Sequence, residues 1–173
     1  MHHVRQFVPQ SVCLSCQGCC RYAEHDTVWA PVFLFDEIVE LTGKNILPVC
    51  LFTHSQPQKK EAARIDLIEE EGSFICPCFD SKKNTCKIYA FHPLDCQLYP
   101  FLLVTKDKKK YLALDEHCPY TKEHKHREEF KKYVEELVSW LHSKEFLEIA
   151  VLNPKIFQDY PGKIEFLAPL SIS

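Results

Sequence analysis

The sequence predicts an α+β fold: a small antiparallel sheet packed on a long C-terminal helix, with irregular cysteine-rich loops. Three observations carry this. The apolar segments 101–104 (Phe-Leu-Leu-Val) and 111–114 (Tyr-Leu-Ala-Leu) flank the polar run 106–110, which reads as a β-hairpin. Phe130, Tyr133, Val134, Leu137, Val138 and Leu141 recur at three- and four-residue steps, one apolar stripe of a helix. The cysteines gather in stretches that follow neither period.

In chain order, residues 1–30 read as a cysteine-rich loop. Residues 35–43 read as a short helix, with Asp36 and Glu37 in its first turn and Gly43 as its stop. Residues 54–60 are polar and contain a proline, a loop composition. The segment 63–68 alternates apolar and polar and suggests a strand closed by residues 69–72. This strand is expected to join 101–104 and 111–114 in the sheet. Residues 74–96 are loop-rich. A helix is expected over 121–142, and Ser143 can cap a further one through Leu152. Asn153-Pro154 interrupts it, and 164–167 reads as a last strand. The whole chain, 1–173, is expected to be one domain, with a cysteine-bearing core at 13–118 and a helical part at 119–173.

Hydrophobic residues make up 46% of the chain, enough for a core that does not depend wholly on a ligand. A net charge of −3 gives no general attraction to nucleic acid or to membrane, and neither is expected as a partner. The lysines at 106–110 suit a solvated turn better than a nucleic-acid patch. No secretory signal is visible in residues 1–12, and no apolar run is long enough to span a bilayer. A cytoplasmic location is therefore expected, where thiols stay reduced and dense cysteines mean metal more often than disulfides.

Ten cysteines are present. Cys13-Leu-Ser-Cys16-Gln-Gly-Cys19-Cys20 places four thiols in eight residues, a density that suits a soft or borderline metal rather than a packed core. Six others stand at 50, 76, 78, 86, 96 and 118. Between Cys76 and Cys86, Asp80-Ser-Lys-Lys-Asn84 has a turn composition that can fold the two thiols together, and Pro93 and Pro100 stiffen the chain around Cys96. The segments 13–20 and 76–96 are expected to meet in space, because neither alone offers a complete ligand shell. Cys50 is expected to be a core thiol, and Cys78 stands open between core and ligand. His92 and His117 neighbour candidate ligands, but a histidine singled out by neighbourhood alone is more often structural. Asp80 and Asp95 are expected to make turn hydrogen bonds.

Cys-x-x-Cys-x-x-Cys-Cys, then Cys-Pro-x-x-Asp, then Cys-x-Ile-Tyr-x-x-x-Pro-x-x-Cys-x-x-Tyr-Pro resembles the YkgJ-type CxxCxxCC cysteine-cluster family. Trp29-Ala-Pro31, Cys118-Pro119 and the tail through Pro169 add to the likeness. The resemblance implies zinc or iron chelation, or an iron–sulfur cluster such as 4Fe–4S. It carries ligand status onto Cys13, Cys16, Cys19, Cys20, Cys76, Cys86, Cys96 and Cys118. Cys78 stands where the family usually has an apolar residue, and His92 and Gln97 replace common arginines.

Eight thiolates exceed one tetrahedral ion, and adjacent Cys19 and Cys20 point to two centres or a bridged one. The leading expectation is a metal-binding protein. The alternatives are an iron–sulfur electron carrier or an accessory to a modifying enzyme, since the resemblance extends to protein lysine methylases that contain such a cluster. No Gly-rich nucleotide loop, HExxH or Ser/His/Asp pattern stands out, so any catalysis would have to work through the metal.

Overall fold

The structure, a computed structural model, describes residues 3–16, 18–52 and 60–172. Most of the expected 54–60 loop lies outside them.

The chain opens with helix α1 (Gln10–Cys16), a single 3-10 turn (Gly18–Cys20) and the short strand β1 (Arg21–Tyr22). This corrects the reading of 1–30 as loop. Helix α1 buries no residue, so it carries no apolar stripe by which to read it. Strand β2 (Val32–Phe33) leads into helix α2 (Phe35–Gly43), as read from the sequence. The acidic Asp36 and Glu37 sit in the first turn of α2, where they complement the positive helix end.

The expected strand 63–68 is also corrected. It divides into β3 (Ala63–Arg64), which pairs with β2, and β4 (Ile68–Glu70), which forms a hairpin with β5 (Ser73–Ile75). Ile65 N–H donates to Pro31 at 3.0 Å and continues the β2–β3 register by one step, after which Asp66 N–H turns away to Leu51 at 2.8 Å. The alternation is real, since Ala63, Ile65 and Leu67 are buried, but no single strand receives the ladder.

A second hairpin follows, β6 (Phe79–Asp80) with β7 (Thr85–Cys86), and then helix α3 (Leu94–Leu98). Strands β8 (Phe101–Lys106) and β9 (Lys109–Asp115) form the expected hairpin. Its two-residue turn, Asp107-Lys108, has φ of 49° and 63°, the geometry whose twist matches the flanking strands. Two helices come next, α4 (Pro119–His124) and α5 (Glu128–Leu141), and then α6 (Lys144–Leu152). The hydroxyl of Ser143 accepts from Phe146 N–H at 3.2 Å and caps α6. Strand β10 (Ile164–Leu170) pairs antiparallel with β9, so the third strand of this sheet comes from the C-terminal region, not from 63–68.

The continuous helix expected over 121–142 is instead broken between α4 and α5. The Phe7 ring explains why. It packs on both Tyr120 and Phe130, at 5.5 and 5.3 Å between centroids. In one straight helix these residues would lie ~15 Å apart along the axis and could not share a ring.

Phe130, Tyr133, Leu137 and Leu141 of α5 share one buried cluster with Phe101, Leu103, Leu112 and Leu114. Leu102, Val104 and Ala113 point to the other face and pack with Tyr160, Trp29 and Tyr99. The sheet is thus covered on both faces, which accounts for the uninterrupted apolar run at 101–104. A third cluster holds Phe33, Leu41, Phe52, Ile65, Phe79 and Ile88, with Cys76 and Cys78 inside it. No helix among the described residues is long and apolar enough to cross a membrane.

Candidate metal centre

The first cysteine segment is shaped by α1. Val12 and Cys13 N–H both donate to the Pro9 carbonyl, at 2.9 and 3.1 Å, and start the helix. Cys13 and Cys16 are three residues apart and share a face. After the turn Gly18–Cys20, β1 runs antiparallel to β5, with Arg21 opposite Ile75 and Tyr22 opposite Phe74. Cys76 N–H then donates to the Cys20 carbonyl at 3.1 Å. The Asn84 side-chain amide donates to the Leu14 carbonyl at 2.9 Å. The segments 13–20 and 76–96 therefore meet, as their incomplete ligand sets suggested.

The second segment folds back on itself. Phe79 N–H donates to the Cys76 carbonyl at 2.8 Å, closing a tight turn around Pro77. Phe79 faces Cys86 across the β6–β7 hairpin, and Lys87 N–H donates to the Cys78 carbonyl at 2.8 Å. Asp80 Oδ1 accepts from the Lys82 and Lys83 N–H groups, at 3.1 and 3.0 Å, and shapes the hairpin tip. Cys76, Cys78 and Cys86 thus cluster at the base of one hairpin.

Cys96 rides on α3. Glu37, fully buried, holds that helix to α2: its Oε1 accepts from Leu94 N–H at 2.8 Å and its Oε2 from Leu34 N–H at 2.9 Å. Asp95 Oδ2 accepts from Val32 N–H at 3.0 Å. Cys118 precedes Pro119, the first residue of α4. It follows a buried knot around Asp115, which accepts from the Tyr99 hydroxyl at 2.8 Å and from His117 N–H at 2.9 Å. The rings of the two neighbouring histidines are already engaged. His92 Nδ1 meets the Tyr89 carbonyl and its Nε2 lies 3.0 Å from the Gln6 amide; His117 Nδ1 lies 2.8 Å from Asp115.

One cavity of about 640 Å³ collects these elements. Its wall contains Cys13, Cys16, Cys19, Cys20, Cys76, Cys78, Cys86, Cys96 and Cys118, nine of the ten cysteines. Cys50 is not in the wall. It is exposed on the turn Val49–Phe52, which corrects its assignment to the core. Tyr22, Trp29, Tyr99, Tyr120 and Tyr160 give the cavity an aromatic side that the cysteine pattern did not reveal. Burial of Tyr99 and Tyr160 was readable only as general hydrophobicity, since neither lies in an amphipathic stripe.

Burial and mutual repulsion hold most of these thiols in the neutral form. Burial, then Cys19 and Cys118, push Cys13 up to about 12. Burial does the same to Cys86, up to about 11, and keeps Cys96 well above the ordinary thiol range. Cys19 and Cys20 are hydrogen-bonded to each other, which lowers the first and raises the second. Cys76 is raised by its hydrogen bond with Cys78, and by burial. A thiophilic cation would reverse this balance, because a coordinating thiol gives up its proton. The donor set therefore fits zinc or iron in chemistry. Among the described residues, no three His, Cys, Asp or Glu side chains already stand in place to hold an ion. Binding would require the sulfurs to converge further than they do here.

A family model, “CxxCxxCC: Putative zinc- or iron-chelating domain”, matches residues 12–119, more than half of the chain. The chain belongs to the CxxCxxCC family. No curated protein and no solved structure matches it. The matched region spans every cysteine of the cavity wall, from Cys13 to Cys118, while α5, α6 and β10 lie beyond it. For this member of the CxxCxxCC family, the matched part supplies the thiols, while the residues past 119 supply the third strand of the sheet, the helices packed on it and, through Tyr120 and Tyr160, part of the aromatic side of the cavity.

Proposed function

We propose that this protein binds zinc or iron through thiolates of Cys13, Cys16, Cys19, Cys20, Cys76, Cys86, Cys96 and Cys118. The observation that carries the reading is the convergence of nine thiols from α1, the turn Gly18–Cys20, the β6–β7 hairpin and the turn leading into it, α3 and the start of α4 on one cavity wall. Eight thiolates suit two tetrahedral ions, with the adjacent Cys19 and Cys20 serving different ions or a bridge. The metal, when bound, would supply a thiolate-held positive centre; the chain's part is to gather the sulfurs and exclude water. The reduced thiols fit a cytoplasmic setting.

A second reading is an iron–sulfur cluster that carries electrons or supports a modifying enzyme. The number of thiols on the cavity wall accommodates it, since one cluster takes four thiolates and leaves the others spare. Anaerobic purification followed by elemental analysis and a visible spectrum separates the two. A colourless protein with stoichiometric zinc supports simple chelation. A brown protein with acid-labile sulfide supports the cluster. A protein with neither metal refutes both.

A further inference from the structure

The thiols take up only part of the cavity wall. Another side carries Trp29 and Tyr160, whose ring centroids lie 4.9 Å apart at a tilt of 49°. Both rings pack on Leu102, Val104 and Ala113, on the face of the sheet turned away from α5. Tyr160 is 7% exposed, yet its hydroxyl has no hydrogen-bond partner among the described residues and is not sealed inside the protein. The cavity is the space it opens on. The hydroxyls of Tyr22 and Tyr99, also on the wall, are already committed to the Cys19 carbonyl and to Asp115. A buried phenol left without a partner beside a cavity marks a place for a polar ligand atom.

A carboxylate stands at the same end. Val32, three residues past Trp29, donates its N–H to Asp95 Oδ2 at 3.0 Å, and Asp95 also lines the cavity. Among the described residues that N–H is the only donor to this carboxylate, and no cation pairs with it. Arg64 acts on it through space, but its guanidinium donates to Gln158 at 2.7 Å. On the wall as a whole, Glu24, Asp95 and Asp115 stand against one guanidinium, Arg21, which packs over the Phe79 ring at 5.3 Å. Once metal is held, thiolates outnumber the charges of the ions, so the thiol side is negative as well. Such a cavity repels an anion, whereas ring faces and an unpaired carboxylate attract a cation.

We propose that the Trp29–Tyr160 side of the cavity binds a small organic cation, a primary alkylammonium, beside the thiol centre. Its alkyl part lies against the two rings, and its N–H groups donate to the Tyr160 oxygen and to Asp95. This goes beyond the chelating reading and draws on it only for the negative charge of the thiol side. Tyr160 lies past the family match at 12–119, so the matched region alone does not build this subsite.

The test uses full-length protein, zinc-loaded and metal-free, with n-butylammonium chloride, n-butanol and sodium butyrate as probes at matched ionic strength. The indole N–H resonances of the two tryptophans are followed by NMR. Trp140 is the internal control, since it packs on Phe146 and does not line the cavity. The expected result is a saturable shift of the Trp29 indole with n-butylammonium, stronger in the zinc-loaded protein, with Trp140 unmoved and no effect of butanol or butyrate. Tyr160→Phe should weaken that binding about fivefold and Asp95→Asn about tenfold, as a neutral and a charge-assisted hydrogen bond are lost. The asparagine carbonyl still accepts from Val32 N–H, and zinc content measured on each sample shows that the thiol side is intact. No saturable shift of Trp29 with n-butylammonium in either form overturns the subsite, while zinc stoichiometry judges the chelating reading by itself. Equal shifts with butanol or butyrate overturn the cationic class of ligand. Unchanged affinity in both variants overturns the assignment of Tyr160 and Asp95.

Discussion

Cys76 N–H donates to the Cys20 carbonyl at 3.1 Å, and this single backbone bond joins the two cysteine segments of the chain. It extends the β1–β5 pairing by one step, from Tyr22–Phe74 and Arg21–Ile75 to the two cysteines. The position of the thiols is therefore set by strand register. A one-residue slip would send the side chains of that strand to the opposite face.

Serine replacements should separate wall thiols from the bystander. Cys16→Ser, Cys20→Ser, Cys86→Ser and Cys96→Ser should each lower bound metal and reduce chelator-sensitive stability by ~3 kcal/mol or more, because metal-binding free energy is partly folding free energy. Cys50→Ser should keep full metal and alter stability by less than ~0.5 kcal/mol, as its side chain is exposed. Elemental analysis with thermal melts in the presence and absence of chelator reads both. Loss of metal in Cys50→Ser, with retention in Cys86→Ser, would place the centre elsewhere.

Glu37 should make the metal-free protein lose stability as pH rises. Burial raises its carboxyl to about 7 from the ordinary 4.5, against the two N–H groups of Leu34 and Leu94 that favour the anion. The folded state then keeps a proton that the unfolded chain releases. Its stability is highest below pH 4.5 and declines through the window up to about 7, by ~2–3 kcal/mol from this group. Glu37→Gln should flatten that decline. It should also be less stable at pH 5 by ~1–3 kcal/mol, because an amide cannot accept from both N–H groups. Urea unfolding of both proteins at pH 5 and 7 decides; equal declines would remove Glu37 from the account.

Phe7→Ala should cost ~2–4 kcal/mol. The ring touches Phe101, Tyr120, Phe130 and Tyr133, all at centroid distances between 5.2 and 5.9 Å, and ties the approach to α1 to the break between α4 and α5. Metal content at saturating zinc should persist, since no sulfur is removed. A change below ~0.5 kcal/mol in a chemical melt would show that the N-terminal strap contributes little.

The periodic parts of the fold were legible. The 101–114 hairpin and α2 follow from alternation and from a helix with acidic start and glycine stop, and Ser143 marks the start of α6. The identity of the third strand was not, because 63–68 alternates as a strand should while its backbone bonds go to Phe33, Pro31 and Leu51 in turn. Helix α1 was missed because it has no buried face. Among the thiols, spacing identified the two segments, but position on the wall depends on tertiary contact. Cys50 was misplaced because a free cysteine is usually a core residue, whereas here the turn at Val49–Phe52 carries it outward. Cys78 could not be settled by spacing, since its neighbours on the wall come from a hairpin and from a distant strand.

X-ray absorption at the metal edge of the anaerobically purified protein tests the central claim most directly. A shell of about four sulfur scatterers at ~2.3 Å per metal is the result predicted for thiolate chelation in the cavity. A first shell of nitrogen and oxygen at ~2.0–2.2 Å without sulfur would contradict it.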